Sequence, residues 1–231
     1  MTTRPLPPGH SLRALGPADL PALYQLHAEV LRALPDPGLF RLFGGPERFL
    51  ADHLGARGES LGAFAQGRLV AYGSLTRPGA DDVDNYASDL GWSPARAGRV
   101  ALLSAAMVDP STRGRGLHRA LIAARIQLAH DRGVPELLVR AAPANAVSRR
   151  TLLAHGFAVV WLGVQREGSL RHVLWRPIEA AAWAAPESGE AAMAWAAADD
   201  LALQQRLLGE GWVGVRMREE DLALGFVRVA G

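Results

Sequence analysis

The sequence predicts a mixed α/β fold, with one mixed sheet and helices on both of its faces. A continuous apolar run at 100–108 leads into a short basic turn, and an apolar-periodic helix begins at Gly116. Strand-like and helix-like patterns alternate from residue 10 to residue 177, which favours a sheet covered by helices. The 231 residues are 49% hydrophobic and 21% charged, which is enough for one large domain or for one domain with a small appendage.

The first half of the chain predicts three strands and two helices ahead of the apolar run. Gly16-Pro17-Ala18-Asp19 starts the first helix, and Gln66-Gly67-Arg68 joins two strands in a hairpin. Residues 35–46 predict a loop, and the polar stretch 76–99, with four aspartates, predicts a long surface flap. The expected strands are 10–15, 61–65 and 69–75, and the expected helices are 19–31 and 47–54.

After the apolar run, the pattern continues as helix, strand, helix and two antiparallel strands. The first helix ends near Arg132-Gly133, and the second is closed by Gly156. The expected strands are 136–141, 157–164 and 170–175, with the second helix at 143–155. The predicted order to residue 177 is therefore β-α-α-β-β-β-α-β-α-β-β.

The remaining residues predict a linker at 178–190, rich in Ala, Pro, Gly and Glu, and an acidic α/β extension at 191–231. The extension has strand patterns at 191–197, 212–217 and 222–229 and a helix at 199–208. Its segment 207–215 resembles 152–160, where a helix ends at a glycine and a strand follows. Two interpretations stay open: a degenerate half-repeat, or chance similarity in an alanine-rich chain. The extension lacks a basic glycine loop, so we expect no coenzyme site there.

Composition excludes several classes of function. All 25 basic residues are arginine, which excludes a P-loop lysine and a Schiff-base lysine. The absence of cysteine excludes disulfides, thiolate metal sites and thiol nucleophiles, and the histidines, lacking ligand spacing, are expected at the surface or at caps. A net charge of +2 indicates no nucleic-acid partner. We expect no membrane association and a cytoplasmic location, because no run is long enough to span a bilayer and no signal-peptide pattern is present.

The basic turn between the apolar run and its helix has the properties of a diphosphate-binding loop. Arg113, Gly114, Arg115 and Gly116 precede the helix, where unpaired N–H groups and the helix dipole favour an anion. Glycine allows the backbone to approach phosphate oxygens closely. Residues 1–177 carry 21 arginines against 14 acidic residues, which also suits an anionic ligand.

Two motifs resemble the GNAT superfamily of acyl-CoA-dependent N-acyltransferases: Val108-x-Pro110…Arg113-x-x-Gly116, and Asn145…Gly156-Phe157. The resemblance covers about 10–177 and is sharpest between 100 and 157. It implies the GNAT fold and acetyl-CoA as acyl donor, with no metal. It also implies that the pantetheine arm of the coenzyme enters where a central strand is splayed by a bulge.

The resemblance assigns coenzyme contacts to residues of three segments. Two of these residues lie on the splayed strand, and those of the loop and of the helix start hold the diphosphate. The residues of the next helix contact the coenzyme from the opposite side of the gap. The implied coenzyme-binding residues are Met107, Val108, Arg113, Gly114, Arg115, Gly116, Leu117, His118, Asn145 and Ser148.

The catalytic positions depart from the family pattern. Leu152 stands where many members carry a tyrosine that protonates the departing thiolate, and Ser104 stands where some carry a glutamate base. Ser104 and Tyr86 are the catalytic candidates, with the serine able to hold a water. His118 is rejected as the base because it lies at the diphosphate end of the coenzyme.

The competing nucleotide-binding motifs fit less well. A Rossmann loop needs small residues where His118 and Arg119 stand, and a Walker loop needs lysine. A GNAT-like module that binds acyl-CoA without turnover, as a sensor or interaction domain, is the alternative function, and Leu152 and Ser104 favour it.

The main prediction is an N-acyltransferase that moves an acetyl group from acetyl-CoA to a primary amine by direct attack in a ternary complex. The acceptor is a small-molecule or peptide amine. Two interpretations of the flap aspartates stay open: a carboxylate-lined mouth that attracts a cationic amine, or an acidic loop with no role in substrate binding. The edge strands and the acidic tail also make a homodimer an expectation.

Overall fold

The computed structural model describes residues 6–36, 47, 52–165, 168–179, 183 and 193–228, which form a ten-stranded mixed sheet with helices on both faces. The predicted fold class is therefore confirmed. The strands are β1 (His10–Ala14), β2 (Gly58–Ala65), β3 (Arg68–Thr76), β4 (Val100–Val108), β5 (Glu136–Ala141), β6 (Ala158–Val164), β7 (Leu170–Pro177), β8 (Ala194–Ala196), β9 (Trp212–Met217) and β10 (Leu224–Arg228). The helices are α1 (Leu20–Arg32), α2 (Pro94–Ala97), α3 (Leu117–Asp131), α4 (Ala146–Leu153) and α5 (Leu201–Gly209).

The strands lie in the order β1-β2-β3-β4-β5-β7-β6-β9-β10-β8. Within the described part of the chain, β4 and β5 are the only strands that pair in parallel, and the other strand pairs are antiparallel. The turn at 66–68 closes the β2–β3 hairpin, as predicted, with positive φ at Gln66 and Gly67. Most of the predicted loop at 35–46 and of the predicted helix at 47–54 lies outside the described residues.

Helices pack on opposite faces of the sheet because successive strand residues point to opposite sides. Leu69 of β3 contributes to a cluster with Leu23 and Leu26 of α1. The next residue, Val70, packs instead with Leu121 of α3. Fully burying an aliphatic side chain stabilises a fold by roughly 1.5–3 kcal/mol, so these two layers hold the central strands from both sides.

The flap at 76–99 docks on the sheet rather than standing away from it. Arg96 lies with its guanidinium carbon 3.4 Å from the centroid of the Trp92 ring and 4.9 Å from that of Trp175. Its Nε donates to Glu136 of β5 at 3.1 Å. Asn85, which is buried, donates to main-chain carbonyls at both ends of the flap. These contacts bring the flap over the middle of the sheet.

The C-terminal strands continue the same sheet through the pairing of β9 with β6 at Val159 and Gly214. The elements β5–α4–β6–β7 and β8–α5–β9–β10 have the same order and the same pairing. In the first unit β7 pairs with β5 and β6, and in the second unit β10 pairs with β8 and β9. Each of the two helices also has its own N-cap side chain, Asn145 for α4 and Asp200 for α5. A glycine with positive φ follows each helix. Val159 and Gly214 occupy equivalent positions in the two resembling segments. From this shared pattern we propose that 191–231 is a degenerate half-repeat rather than a chance similarity.

A buried polar cluster ties α5 to the rest of the protein. The His172 Nε2 and the Gln204 Oε1 lie 2.9 Å apart, and both residues are fully buried. Burial, reinforced by the charge of Arg149, lowers the pKa of His172 to about 4, although its bond to Gln204 acts in the opposite direction. The histidine is therefore neutral at neutral pH.

Candidate active site

The strand β4 parts from its parallel neighbour β5 partway along its length. The ladder between them ends at Leu102, and the pairing of β4 with β3 shifts register between Gly73 and Leu75. Leu103 packs in the cluster that includes α3 residues, whereas Ala105 packs in the cluster that includes α1 residues. Residues two apart in a regular strand share a face, so β4 contains a bulge. The bulge opens a gap between β4 and β5.

Arg125 of α3 holds this bulge in place. It is 1% exposed, its Nε donates to the carbonyl of Leu121, and its Nη1 donates to the carbonyls of Ser74 and Ala105, all at 3.1 Å. Burial lowers the pKa of its guanidinium to about 9, partly offset by the nearby Tyr72. No motif in the sequence marks Arg125 for this role, because the carbonyls that it meets lie on other strands.

The turn after β4 is built on Asp109. Its Oδ1 accepts hydrogen bonds from the Ser111 N–H at 2.8 Å and from the Ser111 hydroxyl at 2.7 Å, and its Oδ2 pairs with Arg68. Burial alone would raise the pKa of this carboxyl, but the bonds from Ser111 and the ion pair with Arg68 outweigh it and lower the pKa. The carboxylate thus fixes the direction in which the chain leaves β4.

The loop that follows has room for a large anion. Gly114 and Gly116 have φ of 78° and 87°, and no atom lies within 4 Å of where a Cβ would stand on either. The helix α3 begins at Leu117, directly after Gly116. The first N–H groups of a helix have no acceptor within it, so these donors and the dipole favour a diphosphate at this position.

One cavity of about 1580 Å³ joins the gap, the loop and the flap. Its size exceeds the usual range for small-ligand pockets, which suits a long coenzyme together with an acceptor. All the site residues predicted from the sequence line it: Tyr86, Ser104, Met107, Val108, Arg113, Gly114, Arg115, Gly116, Leu117, His118, Asn145 and Ser148. Their individual roles remain predictions.

The helix α4 forms the opposite wall. The Oδ1 of Asn145 accepts the N–H of Ser148 at 3.0 Å, so this side chain caps the helix and stands at the cavity at the same time. One turn beyond, Leu152 lines the cavity with a side chain that is 2% exposed. An apolar group therefore occupies the wall at the position where, by the resemblance, many family members carry a tyrosine.

The catalytic candidates lie on the flap side of the sheet. The Ser104 hydroxyl, in the bulge, hydrogen-bonds to the hydroxyl of Thr76 on β3. Tyr86 of the flap is 7% exposed, and the guanidinium carbon of Arg140 lies 5.1 Å from the centroid of its ring. Both candidates line the cavity on the side away from α3.

His118 is a poor proton acceptor in this structure. Burial, followed by the charges of Arg125 and His155, lowers the pKa of its imidazole to about 4. It is therefore neutral at neutral pH and adds no positive charge beside the loop. We therefore still interpret His118 as unsuited to act as the base, and its lowered pKa is a physical reason for this.

The acidic flap is partly neutralised. Asp82 forms an ion pair with Arg57 at 2.6 Å and accepts the N–H of Gly79 at 2.6 Å. Asp84 is exposed and lines the cavity. The attraction that the flap aspartates offer a cationic acceptor is thus weaker than the sequence suggested, because one carboxylate already has a counterion.

The expectation that the histidines lie at the surface or at caps is wrong for His27, His53 and His172, which are buried. Of these, His53 lines the cavity and is 5% exposed. Single-sequence reasoning could not find it, because a lone histidine before a strand carries no spacing signal. Among the described residues, no group of three or more histidine or acidic side chains could hold a metal ion. No helix in the described part of the chain is long and apolar enough to cross a membrane.

Comparison with known proteins identifies the family. The model of the acetyltransferase (GNAT) family matches residues 20–157, which is more than half of the chain. Among curated proteins, no sequence matches.

Similar solved structures include three N-acetyltransferase folds. The ribosomal-protein-S18-alanine N-acetyltransferase from Escherichia coli matches with a TM-score of 0.54 and 20% identity, over 77% of this chain and 97% of its own. A GCN5-related N-acetyltransferase from Kribbella flavida matches with a TM-score of 0.53 and 23% identity, over 73% and 98%. Arabidopsis thaliana NAA60 in complex with acetyl-CoA matches with a TM-score of 0.56 and 18% identity, over 74% and 99%.

The range matched by the family model includes the splayed strand and the glycine loop described above. The chain belongs to the acetyltransferase (GNAT) family and is an acyl-CoA-dependent N-acetyltransferase.

Proposed function

We propose that this acetyltransferase transfers the acetyl group of acetyl-CoA directly to a primary amine, with both substrates bound in the same cavity. The observation that carries the proposal is the continuous space from the glycine loop, through the gap between β4 and β5, to the flap side of the sheet. A coenzyme in the gap would present its thioester to an amine that enters beneath the flap.

The proposed coenzyme contacts follow the lining of this space. The N–H groups from Arg113 to Leu117 hold the diphosphate, and the exposed arginines of the loop meet the remaining phosphate charge. Met107 and Val108 flank the pantetheine arm on one side, and Asn145 and Ser148 flank it on the other. The open space at the two loop glycines supports this arrangement, because any larger residue would stand where the phosphates approach.

The proposed chemistry is direct attack, since a chain without cysteine cannot form an acyl-thioenzyme intermediate. A main-chain N–H at Met107 or Val108 donates to the thioester oxygen as negative charge develops on it. Ser104, together with Thr76, orients the amine or a water beside the bulge, and Tyr86 shapes the acceptor side of the cavity. Holding both reactants in one cavity supplies the proximity that such a reaction requires.

The proposed acceptor is a small-molecule or peptide amine, and the proposed location is the cytoplasm. Among the strands of the described residues, β1 and β8 lie at the edges of the sheet, and these edge strands support the proposal of a homodimer. Light scattering of the full chain measures its mass in solution and tests this part separately.

The function is tested by free-thiol release from acetyl-CoA with spermidine, an aminoglycoside and a short peptide as acceptors. We expect release above the acceptor-free background for one of these classes. Coenzyme A should raise the melting temperature more than ATP or NAD, by mass action. The Arg113→Glu variant should lose that shift, whereas Arg99→Glu, exposed and outside the cavity lining, should keep it. Coenzyme binding without thiol release would overturn the proposal in favour of a sensor.

A further inference from the structure

We propose that Arg140 of β5 is a positioning residue of the acceptor side, which holds Tyr86 over the point where β4 and β5 separate. The inference rests on the proposed function and concerns the binding of the amine rather than that of the coenzyme. No sequence motif marks Arg140 for this role, because the groups that it contacts lie in the flap and beyond β6.

Tyr86 lies over the fork between the two strands. It belongs to a buried cluster with Leu102 of β4 and Leu138 of β5. These two leucines form the last pair of the parallel ladder, after which the strands part. Tyr86 also lines the main cavity, so it covers the start of the gap on the flap side of the sheet.

Arg140 projects from the separated part of β5 onto the same face as Tyr86. It lies two residues beyond Leu138, and residues two apart in a strand share a face. Its neighbours Val139 and Ala141 pack instead in the cluster that includes α3 residues. The guanidinium carbon of Arg140 lies 5.1 Å from the centroid of the Tyr86 ring, within the range of a cation–π contact. The arginine therefore holds the tyrosine from the side of the gap.

A buried glutamine fixes the orientation of Arg140. The Oε1 of Gln165, which follows β6, accepts a hydrogen bond from the Arg140 Nη1 at 3.0 Å. The Nε2 of the same glutamine donates to the Asp89 carboxylate of the flap at 2.6 Å. The main chain of Gln165 is held in turn, because its N–H donates to the Ser169 carbonyl at 3.0 Å. Both ends of the flap segment 86–89 are thus tied to the strands beside the gap.

Arg140 and Tyr86 also stand between two cavities. A smaller cavity of about 720 Å³ lies under the flap, and both residues line it as well as the main cavity. Two side chains that contact each other and line both spaces form part of the wall between them. The position of this wall limits how closely an amine bound on the flap side can approach the gap.

The rest of the flap has attachments of its own, which do not involve Arg140. Asn85 donates to main-chain carbonyls at both ends of the flap. The guanidinium carbon of Arg96 lies 3.4 Å from the centroid of the Trp92 ring, and Arg96 is not among the described residues that line either cavity. The loss of Arg140 should therefore release Tyr86 without undocking the flap.

The test compares the acceptor kinetics of the full-length wild type with those of Arg140→Met, Arg140→Lys, Gln165→Leu and Arg96→Met. Arg140→Met removes the charge and the bond to Gln165, whereas Gln165→Leu leaves the arginine but removes its acceptor. Arg96→Met is the matched control, since it removes a second arginine–ring contact of the flap. Thiol release from acetyl-CoA is measured with whichever of spermidine, an aminoglycoside or an alanine-terminated tripeptide turns over fastest.

We expect Arg140→Met to raise the KM for the amine by about tenfold or more, because a displaced wall misplaces the acceptor. The Kd for acetyl-CoA, measured by calorimetric titration, should stay unchanged, since the Arg140 side chain lies on the face away from α3. Arg140→Lys should recover only part of the loss, because an ammonium lacks the planar group that stacks on a ring. Gln165→Leu should raise the KM in the same direction and provides the test if Arg140→Met does not fold. Arg96→Met should lower the melting temperature but keep the acceptor KM.

A double-mutant cycle shows whether Arg140 acts through Tyr86. Tyr86→Leu removes the ring, so adding Arg140→Met in that background should raise the KM for the amine little further. Effects of the two substitutions that multiply in full would show that the arginine acts independently of the tyrosine, and would overturn the inference.

Other results would also contradict the inference, and they are distinguishable. An unchanged amine KM in Arg140→Met and Gln165→Leu removes the positioning role but leaves the acetyltransferase. An equal rise of the KM in Arg96→Met assigns the effect to a general loosening of the flap. Loss of acetyl-CoA binding in Arg140→Met assigns the residue to the coenzyme gap. Absence of thiol release by the wild type with every amine contradicts the proposed function itself.

Discussion

The guanidinium of Arg125 in α3 donates to the carbonyl oxygen of Ala105 in β4 at 3.1 Å, at the point where β4 turns out of its ladder with β5. The same Nη1 donates to Ser74 on the neighbouring strand. A carbonyl released from a ladder by a bulge needs another donor when it is buried. This arginine supplies that donor and thereby maintains the gap in which we place the coenzyme.

Replacing this arginine should damage both stability and coenzyme binding. Arg125→Met leaves buried carbonyls without donors, at a cost of about 1–3 kcal/mol each, so we expect the free energy of unfolding to fall by several kcal/mol. The bulge should relax, and the Kd for acetyl-CoA should rise at least about tenfold. Urea unfolding and calorimetric titration measure the two effects. The control Arg99→Met should change neither the free energy of unfolding nor the Kd for acetyl-CoA. A stable Arg125→Met variant with an unchanged Kd would show that the arginine is not needed to maintain the gap.

The carboxylate of Asp109 should stabilise the turn that leads into the loop. Asp109→Asn keeps the shape but removes the charge that pairs with Arg68 and strengthens the bonds from Ser111, so we expect a loss of about 2 kcal/mol. Because the folded state lowers the pKa of this carboxyl, its contribution is present above the ordinary pKa and is lost as the pH falls below it. Denaturant unfolding of both proteins at pH 7 and at low pH tests this, and the difference between them should shrink in acid.

The buried His172 should make the protein sensitive to mild acid. Its pKa is about 4 in the folded state, against about 6.5 in an unfolded chain, so the unfolded state binds the proton first as the pH falls. When the pH is lowered from 7 to 5, this histidine alone should reduce the free energy of unfolding by about 2 kcal/mol. The His172→Met variant should show a shallower loss over this range. His130→Gln should keep the wild-type slope, and an equal slope in all three proteins would refute the assignment.

The apolar wall at Leu152 should limit the rate of thiol release. Leu152→Tyr adds a hydroxyl in the position where the family resemblance implies a proton donor, so we expect a higher kcat, by about threefold or more. Leu152→Phe is the matched control, since it adds the ring without the hydroxyl. Both variants should lose about 1–3 kcal/mol of stability, because the site is closely packed. Equal rates for the two would show that protonation of the thiolate does not limit turnover.

Structural features that depend only on residues close together in the sequence were predictable. The loop from Arg113 to Gly116 and the strand before it follow from an apolar run, a turn and a helical period, all of which are local. The bounds of β9 agree with the predicted 212–217 for the same reason. The mixed sheet follows from the order of these elements.

Features that depend on distant partners were not predictable. No pattern around Arg125 shows that two carbonyls on other strands will lack donors, and none around Asp82 reveals Arg57 as its counterion. The resemblance of 152–160 to 207–215 was visible, but not that Val159 and Gly214 would pair with each other. Such contacts are decided when the sheet closes, by packing between elements far apart in the chain.

The central claim is that the loop before α3 holds the diphosphate of the coenzyme while the pantetheine arm passes between β4 and β5. A crystal structure of the full chain with coenzyme A tests it most directly. The account predicts diphosphate oxygens within hydrogen-bond distance of the N–H groups from Arg113 to Leu117, with the thiol beside the bulge at Ser104. Coenzyme bound elsewhere, with the gap between β4 and β5 closed by side chains, would contradict it.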